Sequence, residues 1–473
     1  MERRDSDAIV LFGATGDLCY RKIFPALYQL VRRNVLSVPV VGVARQGWKL
    51  EQLAGRVRES LKEFVPDAEE AVTARLVALL RYVDGDYNNR PTFDALRKAL
   101  EGCQRPLHYL AIPPSMFPVV IEHLAASSED KDARIVVEKP FGRDLASARA
   151  LNKTLHKYFP ESNIFRIDHY LGKEAVQNLL YFRFANSFLE PLWNRNYVAS
   201  VQLTMAETIG VAGRGRFYEE TGAIRDVIQN HLLEIIALLT MEPPVRVDAE
   251  LLRDEKVKLL RSVRPCSPTQ LIRGQFRGYR EEPGVARDSK VETYAALTLH
   301  IDSWRWSGVP FYVRAGKRLP VTATEVVVEL RPPPANVFGK VAPEQPNHVR
   351  FRLGPEVAIA LGAHTKKPGP VMTGKDVELY VAQQQGEDMG AYELLISEAL
   401  IGDTVYFARE DEVEAAWAIV DPLLNSPTTP LEYLPGSWGP PQAEDLIEGP
   451  CGWHDPGAKP QDWRRWCAPV AAS

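Results

Sequence analysis

One short segment of this chain gathers several groups that could bind a ligand. Residues 166–174 are Arg-Ile-Asp-His-Tyr-Leu-Gly-Lys-Glu. His169 and Lys173 stand four residues apart, so a helix that began after Asp168 would place both on one face. Two cationic donors on one face suit an anion such as a phosphate group. The alternative is a solvated helix start, but an acid, an imidazole, a phenol and an ammonium so close together favour a site.

A glycine-rich turn follows the first predicted strand, residues 8–12, and precedes a helical pattern. A strand, a glycine turn and a helix in this order let the backbone approach a pyrophosphate and direct helix N-terminal amides at it. Many loops without ligands contain G-x-x-G, so the position after the first strand is what favours a nucleotide. The predicted cofactor-binding residues of the turn are Gly13, Ala14, Thr15, Gly16, Asp17 and Leu18.

The end of the second predicted strand indicates which nucleotide is bound. An NAD site usually has Asp or Glu there to hold the ribose diol, whereas a basic residue accommodates the 2′-phosphate of NADP. Here the strand, residues 38–44, is followed by Arg45. We therefore predict NADP, with NAD possible as a second cofactor; an exposed loop arginine is the alternative.

Three further residues have chemistry suited to such a site. Lys139 follows another predicted parallel strand, at the carboxyl edge where these sheets bind ligands, and can reach both the nicotinamide region and a sugar hydroxyl; an ordinary charge at a strand end is the alternative. Asp226 and His231 lie in an apolar helix predicted over residues 223–241, about 140° apart if it is an α-helix, so they can flank one pocket. A satisfied core histidine is the alternative, but a carboxylate from Asp168 could fix the imidazole tautomer and make a general base.

The elements that must position these residues change character along the chain. Up to about residue 175, apolar runs alternate with helical patterns, which is typical of a doubly wound parallel sheet. Further on, alternating or β-branched runs at residues 200–207, 293–301, 311–315 and 325–330 predict an antiparallel sheet. The predicted fold class is α/β plus α+β: a Rossmann-like N-terminal domain and a larger domain on a mainly antiparallel sheet. The predicted domains are residues 1–175, 176–434 and a Pro/Gly/Trp-rich tail, 435–473.

Composition excludes several classes of protein. The 473 residues include 57 basic and 61 acidic side chains, a net charge of −4 that argues against a broad nucleic-acid surface. No apolar run approaches the roughly 20 residues of a membrane span, and residues 1–7 lack an apolar stretch, so we expect a cytoplasmic protein. The five cysteines form no C-x-x-C pair, so we expect no disulfide framework and no metal site.

The motifs together resemble one enzyme family. They occur in the order found in glucose-6-phosphate dehydrogenases, over about residues 7–438: residues 13–18, Glu138-Lys139-Pro140, residues 166–174, residues 188–197, residues 224–233 and Gly316-Lys317-Arg318-Leu319. The resemblance implies oxidation of β-D-glucose 6-phosphate at C1 to 6-phospho-D-glucono-1,5-lactone with reduction of NADP, the first step of the oxidative pentose phosphate pathway. It also implies a homodimer or homotetramer built through the sheet of the second domain.

The resemblance assigns roles to individual residues. His231 resembles the base that removes the C1 hydroxyl proton, and Asp168 its orienting partner. His169, Tyr170 and Lys173 resemble a phosphate clamp. The residues that resemble the sugar-binding set are Glu207, Asp226, Lys317, Lys139, which also faces the cofactor, and Gln345 as a weaker candidate.

Two positions depart from the family pattern, and the one at Thr322 bears on the substrate. A Lys or Arg is common five residues after the lysine equivalent to Lys317, where this chain has Thr322, and a basic residue is common where it has Tyr20. A dehydrogenase of an unphosphorylated sugar would fit Thr322, although the phosphate clamp argues against it. A catalytically silent NADP-binding regulator is the third possibility, although retention of Asp168, Lys139 and His231 argues against that.

Overall fold

The structure is a computed structural model that describes residues 5–127, 132–211, 213–335, 337, 346–383, 389–424, 428–448, 452–457 and 459. The chain divides into two compact units. The first unit comprises Met1–Glu174, Pro244–Asp254 and Asp388–Glu414, and the second comprises Ala175–Pro243, Glu255–Glu387 and Ala415–Ser473. Among the described residues, no helix has both the length and the apolar character needed to cross a membrane.

The first unit is built on a parallel sheet of six strands in the order β3-β2-β1-β4-β5-β6. The strands are β1 Ala8–Phe12, β2 Val40–Ala44, β3 Leu80–Asp84, β4 Pro106–Leu110, β5 Arg134–Glu138 and β6 Ile164–Ile167. Every residue of β1, β2, β4 and β5 is buried, as expected for a parallel sheet covered on both faces. The predicted Rossmann-like doubly wound sheet is confirmed.

Helices connect these strands. They are α1 Phe24–Arg32, α2 Leu50–Phe64, α3 Glu70–Leu79, α4 Arg90–Ala99, α5 Phe117–Ser127 and α6 Leu145–His156, with α11 Ala391–Ile401 added from a distant part of the chain. Pro25 lies at the start of α1, after a π-helical turn Cys19–Ile23. Proline has no N–H to donate, and here it lies where the helix changes from the π-helical to the α-helical pattern.

The second unit is built on a sheet of nine strands, ordered β14-β13-β12-β11-β7-β10-β9-β8-β15. Its strands are β7 Val198–Ala206, β8 Leu271–Phe276, β9 Tyr294–His300, β10 Pro310–Gly316, β11 Ala323–Leu330, β12 His348–Gly354, β13 Val357–Lys366, β14 Gly374–Gln383 and β15 Leu431–Tyr433. Between the described strands of this sheet, only the pairs β7–β10 and β8–β15 are parallel. The prediction of a mainly antiparallel sheet is therefore confirmed.

The apolar helix predicted after residue 223 differs from a continuous α-helix. The chain forms α8 Gly215–Ala223, a π-helix Ile224–Leu232 and α9 Leu233–Thr240. Other helices are α7 Glu174–Ala185, α10 Ala249–Leu260 and α12 Glu410–Leu424. A π-helix pairs residue i with residue i+5, so Asp226 and His231 are separated by roughly one turn. The separation of about 140° expected for an α-helix is therefore wrong, because the local helix type is different.

The described part of the C-terminal segment packs against the nine-stranded sheet. The Arg314 guanidinium lies 4.6 Å from the ring centroids of both Trp438 and Trp453. Arg314 Nη2 also donates to His454 O and to Asp455 Oδ1, each at 2.8 Å. Arg314, a buried residue of β10, therefore holds this segment through cation–π contacts with two tryptophan rings and through two hydrogen bonds.

Candidate active site

The glycine turn after β1 has no room for a side chain at its first position. Gly13 has φ +81°, and a Cβ there would lie 2.2 Å from the Ala111 carbonyl oxygen. The Gly13 N–H donates to Val43 O at 2.9 Å and to the Tyr87 hydroxyl at 2.8 Å. Only glycine tolerates both the positive φ and this close approach of the backbone.

The same turn leads into helix. The Gly16 N–H donates to Gly13 O at 2.8 Å, and the Tyr20 N–H donates to Gly16 O at 3.1 Å. Helical backbone then continues through Cys19–Ile23 into α1. A turn with glycine at positions 13 and 16, followed by the N-terminal amides of a helix, can bind the pyrophosphate of a dinucleotide.

Arg45 lies directly after β2, with its side chain 73 % exposed. Its Nη1 is 2.5 Å from Asp86 Oδ2. The backbone N–H groups of Gln46 and Gly47 donate to Asp84 Oδ1 at 3.1 and 2.8 Å, which fixes the loop that carries the arginine. The Asn88 backbone N–H, together with Arg45, holds the pKa of Asp86 below its usual value. An exposed guanidinium at this edge of the sheet can bind the phosphate group of a ligand.

Lys139 follows β5, and the residue before it is buried. Tyr109 Oη donates to Glu138 Oε1 at 2.5 Å. Burial raises the pKa of Glu138 to about 7 against the lowering effect of the hydrogen bonds from Tyr109 and Tyr392 and of the Lys139 charge. The Lys139–Pro140 peptide bond is cis. Lys139 thus emerges at the carboxyl edge of the parallel sheet beside a buried carboxyl group.

The segment after β6 forms turns and no helix until Glu174, so the expected helix face shared by His169 and Lys173 is wrong. The Leu171 N–H donates to Asp168 O and the Lys173 N–H to Tyr170 O, each at 3.0 Å. These turns still bring the polar groups together.

Contacts with aromatic rings bring His169, Tyr170 and Lys173 together. Lys173 Nζ lies 3.6 Å from the Tyr170 ring centroid, and the His169 ring is 5.1 Å from that of Tyr170. The His169 ring also stacks on Tyr392 of α11, at 6.2 Å with an interplanar angle of 10°. The Tyr170 N–H donates to Asp168 Oδ1 at 2.9 Å. The four polar residues of the first motif therefore form one cluster.

In the second unit, Glu207 and Lys317 follow the parallel neighbours β7 and β10. The Lys317 ammonium is hydrogen-bonded to Glu207 Oε2, and the Glu207 N–H donates to Gly316 O at 3.0 Å. Lys317 Nζ also lies 5.6 Å from the ring centroid of Tyr218 in α8. The pair supplies both an acceptor and a donor for hydroxyl groups at one edge of this sheet.

Asp226 and His231 lie on the π-helix, whose start is held by Glu292. The Ile224 N–H donates to Glu292 Oε1 at 3.2 Å, and Gly222, at φ +64°, leaves no room for a Cβ beside the same oxygen. The His231 N–H donates to Asn230 Oδ1 at 2.7 Å. π-Helical segments are common at functional sites, and this one carries two predicted site residues.

Electrostatics link the second-unit residues around Tyr218. Burial raises the pKa of the Tyr218 hydroxyl well above its usual value, and the charges of Asp226, Tyr433, Glu207 and Glu292 raise it further. The hydroxyl is therefore a neutral donor among carboxylates.

The predicted site residues thus fall into two sets, one in each unit. The first unit holds residues 13–18, Arg45, Lys139, Asp168, His169, Tyr170 and Lys173. The second holds Glu207, Asp226, His231 and Lys317. Gln345 lies outside the described residues.

Sequence reasoning missed several residues that contact the predicted site residues or nearby positions of the same segments. They are Tyr87, Tyr109, Tyr218, Glu292 and Tyr392. No local spacing connects them with the residues that they contact, because each contact joins separate elements.

Comparison with known proteins decides the family. A model named "Glucose-6-phosphate dehydrogenase, NAD binding domain" matches residues 10–178, and one named "Glucose-6-phosphate dehydrogenase, C-terminal domain" matches residues 180–454. The chain belongs to the glucose-6-phosphate dehydrogenase family. It is an oxidoreductase of that family, and its parallel sheet forms the domain that binds the nicotinamide cofactor.

Members of the family resemble the chain over nearly its whole length. Glucose-6-phosphate 1-dehydrogenase 1 of Mycobacterium tuberculosis is 44 % identical over 456 residues, covering 95 % of this chain and 97 % of the relative. The crystal structure of the Mycobacterium avium enzyme is 42 % identical, with a TM-score of 0.90 over 96 % of this chain and 99 % of the other. A glucose-6-phosphate dehydrogenase in complex with glucose 6-phosphate is 36 % identical, with a TM-score of 0.87 over 94 % and 98 %.

Proposed function

We propose that this chain oxidises β-D-glucose 6-phosphate at C1 to 6-phospho-D-glucono-1,5-lactone with reduction of NADP, the first step of the oxidative pentose phosphate pathway. The observation that carries the proposal is the match to both domains of the family, together with a relative that was solved with glucose 6-phosphate bound. The grouping of His169, Tyr170 and Lys173 supports the phosphorylated substrate. No comparable observation favours an unphosphorylated sugar or a silent regulator.

The cofactor would be held by the first unit. Residues 13–18 would hold the pyrophosphate, and Arg45 would bind the 2′-phosphate that distinguishes NADP from NAD. Lys139 would contact both the cofactor and the sugar. When bound, NADP accepts the hydride that leaves C1. The chain itself need only position C1, remove a proton and exclude water.

His231 is proposed as the general base that takes the proton from the C1 hydroxyl. A histidine is suited to this task because its ordinary pKa lies near neutral pH. Its burial, with 3 % of the residue exposed, and the fixed backbone of the π-helix limit its motion. Asp168 is proposed as the group that selects the working tautomer, a role that rests on the family resemblance.

Phosphate and sugar hydroxyls are assigned to different residues. His169, Tyr170 and Lys173 are proposed to clamp the phosphate through charge-assisted hydrogen bonds. Glu207, Asp226 and Lys317 are proposed to bind the sugar hydroxyls, where the existing Glu207–Lys317 pair would open to accept and donate. Gln345 remains a weaker candidate for the same set.

The remaining proposals concern the roles of the domains, the oligomer and the location of the protein. We assign NADP binding to residues 1–175, substrate binding and oligomer formation to residues 176–434, and a C-terminal tail to residues 435–473. A homodimer or homotetramer built through the nine-stranded sheet and a cytoplasmic location complete the proposal.

Turnover of four substrate and cofactor pairs tests the proposed activity. The absorbance of reduced nicotinamide should rise with glucose 6-phosphate and NADP, more slowly with NAD, and far more slowly with glucose. Equal rates with glucose would favour the unphosphorylated-sugar dehydrogenase. No turnover with any pair would favour the silent regulator.

A further inference from the structure

The edge of the first sheet carries two opposite charges side by side. β2 and β3 are parallel neighbours, with Ala44 paired to Asp84, so the residues after both strands meet at one edge. Arg45 follows β2, Asp86 follows β3, and their side chains form an ion pair at 2.5 Å. The only ion pair that either residue makes in the described part of the chain is this one.

The two partners differ in how firmly they are held. Asp86 Oδ1 accepts from the Asn88 backbone N–H at 3.0 Å and from Asn88 Nδ2 at 2.9 Å, while the Asp86 carbonyl accepts from Thr92 Oγ1 at 2.7 Å. Its side chain is 24 % exposed, whereas that of Arg45 is 73 % exposed. The carboxylate is therefore fixed by its own loop, whereas the guanidinium is held, among the described residues, by this ion pair alone and is open to solvent.

The two charges suit different cofactors. A basic group at this edge favours the 2′-phosphate of NADP, and a carboxylate favours the 2′,3′-diol of NAD. A 2′-phosphate that reaches Arg45 must share the guanidinium with Asp86 and approach a fixed negative charge. A diol can donate to Asp86 and has no charge to be repelled.

We propose that Asp86 is a specificity-determining residue that limits the preference of this chain for NADP and allows it to bind NAD as well. Arg45 attracts the 2′-phosphate, and Asp86 offsets part of that attraction. This inference rests on the proposed function only in placing a nicotinamide dinucleotide at the glycine turn.

Binding of two cofactor fragments tests the inference without turnover. Calorimetry compares 2′,5′-ADP with 5′-ADP on the full chain and on Asp86→Asn, which keeps the side-chain shape and removes the charge. The variant should bind 2′,5′-ADP about three- to tenfold more tightly, since one unit charge within several ångströms in water changes affinity by about that much. Binding of 5′-ADP should change by less than about twofold, because the asparagine side-chain oxygen can still accept from the diol. The gain in 2′,5′-ADP affinity should shrink at high salt.

Glu70→Gln is the matched control. It breaks another exposed ion pair of the same unit, Arg58 Nη1 to Glu70 Oε1 at 2.7 Å, with side chains 45 % and 79 % exposed. Neither fragment should change its affinity for this variant.

Three outcomes overturn the inference: unchanged 2′,5′-ADP affinity in Asp86→Asn, equal changes for both fragments, or no binding of either fragment to the parent chain. The test is independent of the sugar substrate. If the fragments behave as expected and glucose 6-phosphate is not oxidised, the proposed activity fails and the role of Asp86 stands.

Discussion

A buried charge cluster in the nine-stranded sheet should make the stability of this protein depend on one carboxylate. Glu325 of β11 is 2 % exposed and lies 3.0 Å from Arg350 and 3.2 Å from Arg352, both on β12. His454 Nε2 of the C-terminal segment is 2.8 Å from its other oxygen. Burial lowers the pKa of His454, so near neutral pH the imidazole is a neutral donor and the two guanidiniums supply the positive charge.

The contribution of Glu325 to the free energy of folding follows from its lowered pKa. Burial alone would raise the pKa of Glu325, but the His454 hydrogen bond and the charges of Arg350 and Arg352 lower it to about 2 from 4.5. That difference corresponds to about 3 kcal/mol of folding free energy. Replacing Glu325 with Gln keeps the shape but leaves two buried guanidiniums short of a counter-charge, a change that commonly costs about 3 to 5 kcal/mol. Because Arg350 also pairs with Glu378 at 2.5 Å, we expect about 2 to 4 kcal/mol.

Chemical denaturation of Glu325→Gln measures this loss directly. Glu432→Gln is the control, because it breaks an exposed pair with Arg277 at 2.8 Å and should change the free energy of unfolding by less than about 1 kcal/mol. The pH dependence gives a second readout. A carboxyl group whose pKa is lowered by folding stabilises above its unfolded pKa, so the parent chain should lose stability between about pH 4.5 and pH 2. A loss below about 1 kcal/mol, or the same acid sensitivity in the variant and the parent, would refute the reasoning.

Three further variants test the site. Arg45→Ala should raise KM for NADP about tenfold through loss of one exposed charge-assisted hydrogen bond and leave KM for NAD unchanged, and equal effects on both cofactors would place Arg45 elsewhere. Asp168→Asn should lower kcat by less than loss of the base does, and full activity would reject its role in holding the imidazole tautomer. Thr322→Arg should lower KM for glucose 6-phosphate several-fold with little change in kcat, because an arginine adds a charge-assisted hydrogen bond to the phosphate that a threonine hydroxyl cannot make. An unchanged or higher KM would show that no phosphate-binding charge is missing at this position.

The structure bears on the last of these variants. Thr322 Oγ1 accepts from the Thr208 N–H at 3.1 Å and lies 2.9 Å from the Thr208 hydroxyl. Arg314 is fully buried and occupied by the C-terminal segment, so it cannot serve a phosphate in place of the absent charge. Arg318, whose Nη2 lies 4.0 Å from Glu282 Oε1, is a neighbouring cation that could do so.

Local patterns predicted much of the parallel half of the fold. β1, the glycine turn and the helix after it depend on neighbouring residues, so periodicity and the need for glycine at position 13 were sufficient. β12 was not among the predicted strands, although its sequence, His-Val-Arg-Phe-Arg-Leu-Gly, alternates charged and apolar residues. That pattern is typical of a half-exposed strand, so it could not predict that Arg350 and Arg352 are buried against Glu325, a contact that joins two strands.

The sequence indicated which residues belong to the candidate site, but it did not predict the local structure that carries them. The types and order of Asp168, His169, Tyr170 and Lys173 identified the segment, but the turn that carries them depends on tertiary packing against α11. The π-helix at Ile224–Leu232 likewise begins at an N–H that donates to Glu292, far along the chain. No spacing within either segment contains that information.

Turnover of His231→Asn tests the central claim most directly. Steady-state kinetics with glucose 6-phosphate and NADP should show kcat about 100- to 10,000-fold lower, while calorimetry shows glucose 6-phosphate binding nearly unchanged. His364→Asn, which removes a histidine paired with Asp376 at 3.0 Å in the same unit, should leave both quantities unaltered. If His231→Asn retains half of the parent kcat, His231 is not the base and the account of catalysis is contradicted.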